Sequence, residues 1–229
     1  MNQKLFSEFI ATFIMVFVGC GAIVVDTING GVIGSVGISL VFGFVVSSMI
    51  YTFGHISGSH MNPAVTIAFA VIDEFDKKDV LKYVLAQLFG AILASLILLF
   101  LFFENVTSMK EMAYLGATLP KGSWYQAFIL EYILSFILMI VICGSAVHAK
   151  AIKSFAGLSI GLTIAFEALF GGAISGASMN PVRSLAPALV SGHFESLWIY
   201  IMATILGATS GSIVYKYIIK CKNSDECLI

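Results

Sequence analysis

The chain has 229 residues, 59% hydrophobic and 11% charged, with a formal net charge of −1 and a mean hydropathy of +0.99. A water-soluble domain carries about 25% charged residues, so this composition cannot clothe a water-facing surface and most of the exterior must face lipid. The near-neutral charge supplies no basic field for nucleic acid and excludes that class of partner.

Taken in chain order, six apolar runs are long enough to cross about 30 Å of hydrocarbon as helices: 5–25, 33–54, 80–102, 124–147, 155–172 and 195–218. The first is too long for a signal-peptide core and is read as a span. Two shorter stretches, 63–71 and 181–190, do not reach across; each opens on Asn-Pro and follows a Gly/Ser-rich segment. With even-numbered crossings and both termini on one side, that side holds Lys4, Lys77, Lys78, Lys82, Lys150, Lys153, Lys216, Lys220 and Lys222, against only Lys110 and Lys121 opposite. The positive-inside rule then places both termini in the cytoplasm of a plasma or inner cell membrane.

The chain repeats itself. EFIATFIMVFVGCGAIV from Glu8 matches EYILSFILMIVICGSAV from Glu131 at an offset of 123, and HISGSHMNPAV from His55 matches AISGASMNPVR from Ala173 at an offset of 118. Gly90 and Ala94 match Gly207 and Gly211 at 117. Three spans per copy make the second copy enter from the other side, an inverted repeat of the kind transport proteins use. The expected organisation is an all-α membrane protein with 1–112 as the first repeat, 113–220 as the second and 221–229 as a cytoplasmic tail. Ser39, Gly43 and Ser47 on the second span, and Gly157, Gly161 and Ala165 on the fifth, form matched small-residue stripes. They predict a close crossing of those two spans.

Asn62-Pro63-Ala64 and Asn180-Pro181-Val182 head the short stretches. Asparagine is a favoured N-cap and proline suits the first helical position, so each pair predicts the start of a half-length helix. About nine residues at 1.5 Å make a stub of roughly 13 Å, and two end to end cover about 27 Å. Inverted symmetry points both N-termini, each with about half a positive charge, at the membrane centre. A cation is repelled there, while each asparagine amide, free after capping, donates to a passing oxygen. Gly58, Ser59 and His60, and again Gly176, Ala177, Ser178 and Met179, must be non-helical backbone lining a cavity, which predicts a ladder of carbonyl acceptors.

Arg183 is the only arginine. At membrane depth it is costly, and it reads as a donor fork for the permeant that repels cations, rather than as a side chain snorkelling to the interface. Glu8 and Glu131 are repeat-related and read as structural acceptors for the backbone N–H groups of the two loops, in preference to a proton relay. Glu167 is expected either to colour an outer vestibule or to face solvent. His60 is expected to act through its backbone, His55 to pack at a loop junction, and His148 and His193 to be interfacial. Ser57 and Ser175 are read as locally bonded turn residues, and the Asp73–Asp79 run as a solvated loop. Cys20 and Cys143 fall in apolar runs and Cys221 and Cys227 in the tail. That placement gives neither a disulfide framework nor a metal set, and no cofactor and no nucleophile–base pair are expected.

HISGSHMNPAV, SGASMNPVRSLAPAL, Glu8-Phe9 and Ala86-Gln87 together resemble the aquaporin, or major intrinsic protein, family across nearly the whole chain. The resemblance implies an aquaporin-like fold of six tilted helices plus two half-helices, one pore per subunit, and a homotetramer. One departure is Val182, where the second motif usually has alanine. By counting from the two asparagines, the resemblance implies an outer constriction at Phe42, Ala168, Ala177 and Arg183. Strict water channels of the family carry histidine where this chain has Ala168; its glycerol channels have a small residue there and two aromatics in the ring. One aromatic with two alanines implies a wider, less polar opening passing water and small uncharged solutes such as glycerol, ammonia or metalloid acids. The competing readings are an ion- or proton-coupled secondary transporter, which inverted repeats also serve, and a junctional protein with a blocked pore.

Overall fold

The computed structural model describes residues 2–219, apart from the side chain of Asn105; Lys220, Lys222 and the tail with Cys221 and Cys227 lie outside the described residues. Those described form an all-helical structure without strands. Its principal elements are α1 (Gln3–Ile28), α2 (Gly34–Ser57), α3 (Pro63–Val71), α4 (Val80–Phe102), α5 (Trp124–Ile142), α6 (Ala156–Gly171), α7 (Pro181–Ser191) and α8 (Leu197–Val214). α5 and α8 each run on into a five-residue π-helical turn, Cys143–Val147 and Tyr215–Ile219. Six of the helices are long and apolar enough to cross a membrane. Large apolar side chains such as Phe100, Leu81, Phe170 and Trp198 stand exposed on the exterior, as a lipid-facing surface requires.

Backbone approaches at small residues hold the bundle together, because no hydrophobic effect drives helices together within lipid. A side chain at Gly90 on α4 would collide with the Phe9 carbonyl of α1, and one at Gly207 on α8 with the Tyr132 carbonyl of α5. These two crossings are the same contact in the two halves, since Phe9 and Tyr132 are 123 apart and Gly90 and Gly207 are 117 apart. α2 and α6 cross through the matched stripes: a Cβ on Gly43 would stand 2.6 Å from the Gly161 carbonyl, and the Ser47 hydroxyl donates to the Gly157 carbonyl at 2.8 Å.

The two half-helices sit inside this frame, and each packs against the last span of the other half, α3 on α8 and α7 on α4. Near the far end of α3, Lys216 donates to Asp73 at 2.9 Å and Lys77 lies 3.4 Å from it. These two lysines, Lys216 first, hold the Asp73 carboxyl below its ordinary value. Exposed pairs of this kind contribute little to stability, but this one joins the α3–α4 loop to the end of α8.

Candidate functional site: two capped half-helices in the wall of a pore

Each half-helix starts as its sequence predicts. Asn62 and Asn180 are extended, and proline occupies the first turn. The Asn62 side-chain oxygen accepts from Ala64 N at 2.9 Å, and that of Asn180 from Val182 N at 3.1 Å and Arg183 N at 3.4 Å. The two amides reach across to each other's loop: Asn62 Nδ2 donates to the Met179 carbonyl at 2.7 Å, and Asn180 Nδ2 to the Met61 carbonyl at 2.8 Å. The amides are therefore not wholly free, as the sequence alone suggested. One hydrogen of each NH₂ closes this reciprocal clasp, and an NH₂ group has two; that of Asn180 also has the weak acceptor Met15 Sδ at 3.9 Å.

The loops that precede the asparagines share a backbone pattern. Gly58, Ser59 and Met61 have φ of 88°, 48° and 52°; their counterparts Gly176, Ala177 and Met179 have 92°, 43° and 53°. Left-handed backbone costs a residue with a side chain about 1–2 kcal/mol, so the surroundings must impose it. A buried carboxylate does so in each half. Glu8 Oε1 accepts from Ser57 Oγ at 2.8 Å and His60 N at 2.9 Å, and Oε2 from Met61 N and Gln87 Nε2, both at 2.8 Å. Glu131 Oε1 accepts from Ser175 Oγ at 2.6 Å and Ser178 N at 2.9 Å, and Oε2 from Met179 N at 2.9 Å. Ser57 and Ser175 thus do more than bond locally. Each also receives a loop N–H, from Ser59 and Ala177 respectively. Tyr83 and Tyr200 complete the frame by donating to the Ser57 and Ser175 carbonyls at 3.0 and 2.6 Å.

An internal cavity of about 110 Å³ runs past these groups. Its wall contains Asn62 and Asn180, residues 58–61 and 177–179, and Phe42, Ala168 and Arg183. Gly176, expected on the ladder, does not reach the lining; its role is the turn that precedes it. Pro63, Ala64, Pro181 and Val182 are buried in the first turns of the half-helices. Arg183 is 3% exposed and does not snorkel. Its Nη1 donates to the Gly116 carbonyl at 2.7 Å, its guanidinium carbon lies 5.0 Å from the centre of the Phe42 ring, and its Nε has no partner among the described residues.

Several features escape the sequence reading. The segment before α5 folds inward, burying Met112 and Leu115 completely. It passes through four consecutive left-handed residues, Ala113 to Gly116, and so presents the Gly116 carbonyl to Arg183. Thr118 from the same segment donates to Ser184 at 2.7 Å. Tyr83 and Tyr200 were findable, since they share the 117 offset of Gly90 and Gly207. His60 uses its ring as well as its backbone: Nδ1 lies 3.1 Å from Thr66 Oγ1, and the ring packs among Phe69, Phe75 and Tyr83 at 5.1–5.4 Å. His193 stacks on Tyr114 at 3.9 Å, whereas His55 is exposed rather than packed. Glu167 corrects both expectations held for it. It neither lines the cavity nor faces solvent but is 1% exposed, and neither oxygen has a hydrogen-bond partner among the described residues. Among the described residues no three His, Cys, Asp or Glu side chains form a metal-binding group.

A bundle with six helices able to cross a membrane, and an internal cavity walled by two end-to-end half-helices, has the architecture of a membrane channel. Residues 1–215 match the major intrinsic protein family model, and the chain belongs to that family of passive channels for water and small neutral solutes. It is 47% identical over 229 residues to aquaporin NIP3-1 of Arabidopsis thaliana, covering 99% of this chain and 71% of the relative. Nodulin-26 of Glycine max is 45% identical over 216 residues, covering 94% and 78%. The X-ray structure of the aquaglyceroporin from Plasmodium falciparum superimposes with a TM-score of 0.83 at 26% identity, covering 95% of this chain and 96% of that one.

Proposed function

We propose that the protein conducts water together with small uncharged solutes of glycerol or urea size, ammonia or undissociated metalloid acids, while excluding protons and ions. The observation that carries this reading is the reciprocal clasp of Asn62 on the Met179 carbonyl and Asn180 on the Met61 carbonyl. It fixes two helix N-termini against each other, so their partial positive charges add where the pore passes. The amide hydrogens left over donate to a water oxygen, whose own hydrogens then point away along the pore and cannot relay a proton. Carbonyls of 58–60 and of 177 and 178 receive those hydrogens on either side. Arg183 repels cations a second time and offers its unpartnered Nε to the permeant oxygen. Phe42, Ala168, Ala177 and Arg183 form the constriction, in which the two alanines leave room beyond a single water and Phe42 supplies one apolar wall.

The division into inverted repeats at 112/113 is supported by the matched carboxylates, clasps and left-handed turns. The lysine distribution supports cytoplasmic termini in a plasma or inner membrane, and the meeting of Lys77 and Lys216 at Asp73 supports their sharing one side. Four copies in a homotetramer, each with its own pore, is the assembly the family resemblance supports. Ion or proton coupling finds no support: the relatives are aquaporins, and among the described residues no carboxylate lines the cavity.

Proteoliposomes test the solute range. Under a glycerol or urea gradient they are expected to shrink and then re-swell as the solute follows. Vesicles that shrink and never re-swell with either solute restrict the channel to water.

A further inference from the structure

The constriction is seated on α1, which contributes none of its four residues. A Cβ on Gly19 would meet the Phe42 ring, at 2.6 Å from Cζ and 2.7 Å from Cδ1. The ring lies in space that only a glycine leaves. On the next residue, Cys20, rests the turn that holds Arg183: a Cβ on Gly116 would stand 2.9 Å from the Cys20 Cβ and 3.1 Å from its carbonyl oxygen. Gly116 is left-handed at φ +76°, so it can take neither a side chain nor a retreat from α1 without moving its carbonyl off Arg183. One step of α1 therefore backs both members of the Phe42–Arg183 contact, 5.0 Å apart. The repeat isolates the feature. Cys20 and Gly21 have their counterparts in Cys143 and Gly144, but Gly19 corresponds to Ile142, which itself lines the cavity. The half that supplies Phe42 has the glycine, and the other half has isoleucine at the matching position.

We propose that Gly19 and Cys20 form a platform that sets the aperture of the pore, with Gly19 as a specificity-determining position acting through Phe42. A methyl group at Gly19 pushes the ring off α1 toward Arg183 and the alanines, and so narrows the opening to solutes larger than water. The proposal rests on the constriction reading given above, and the experiment separates the two. Water, urea and glycerol permeabilities are measured in proteoliposomes for wild type, Gly19→Ala, Phe42→Leu and Gly19→Ala/Phe42→Leu, with yield and thermal unfolding as folding controls.

Gly19→Ala is expected to lower the glycerol-to-water ratio about tenfold, the equivalent of about 1.4 kcal/mol of added barrier. The double variant is expected to return to the ratio of Phe42→Leu, because the smaller side chain clears the added methyl. Phe42→Leu alone raises the ratio. If Phe42→Leu leaves the ratio at the wild-type value, the constriction reading fails. If Phe42→Leu shifts the ratio but Gly19→Ala does not, or if the double variant is no better than Gly19→Ala, the platform is refuted while the constriction stands. A Gly19→Ala protein that loses water and glycerol permeation equally, unrescued by Phe42→Leu, also refutes it.

Discussion

Alanine at Glu8 or Glu131 is expected to destroy the pore rather than merely slow it. In Glu131→Ala the Ser175 hydroxyl and the N–H groups of Ser178 and Met179 lose their common acceptor. Each buried donor left unsatisfied costs about 1–3 kcal/mol, so the loss exceeds about 3 kcal/mol in a fold whose whole stability is of order 5–15 kcal/mol. The carboxylate also imposes the left-handed turns at Ala177 and Met179. Once these relax, the Met179 carbonyl leaves Asn62 and the clasp opens. Glu8→Ala is expected to be worse by roughly a further 1 kcal/mol, because Gln87 Nε2 loses its carboxylate partner as well. Thr204 occupies the equivalent place in the other half and bonds its own helix instead. Thermal unfolding in detergent and osmotic permeability in vesicles check the pair. Either variant keeping the wild-type midpoint and water permeability contradicts the structural role assigned to these carboxylates.

Removing the Arg183 charge is expected to let cations through. A unit charge about 5 Å away in surroundings of effective dielectric about 20 raises the energy of a passing cation by about 3 kcal/mol, on the order of a hundredfold in rate. Arg183 is buried beside the cavity, where salt screens it little. Arg183→Ala should therefore pass protons or sodium on the order of a hundredfold faster than wild type, and glycerol faster as well, while water permeation persists. Arg183→Lys separates charge from shape. It keeps the positive charge and so excludes cations, but lacks the planar fork that binds the Gly116 carbonyl while stacking against Phe42. Ion fluxes in Arg183→Ala equal to those of wild type would show that the half-helix ends alone exclude cations.

The sequence states most of the scaffold because the scaffold obeys membrane rules: span lengths, Asn-Pro starts and matched small residues each answer to a local constraint. The half-helix expected over 181–190 ends at Ser191, and the span expected over 195–218 is Leu197–Val214 with its π-helical turn. Side-chain partnerships between distant segments were less legible. Glu167 illustrates the difficulty. Its position beside Ala168 at the end of a span suggests a wet environment, and only the packing of α6 shows that the side chain turns inward. The Ala113–Gly116 turn has no sequence signature either, because Ala, Tyr and Leu are poor left-handed residues and only tertiary contact holds them there. The amide clasp was half legible. The repeat brings the asparagines together, but their bonding to each other's preceding carbonyls depends on loop geometry that no periodicity encodes.

Water flow and proton flow measured in the same vesicles test the central claim most directly. Wild-type protein in liposomes carrying a pH-sensitive dye is expected to speed osmotic shrinkage several-fold over empty liposomes, with no added proton flux under an imposed pH gradient. A protein-dependent proton current that rises in step with the water permeability would contradict the account.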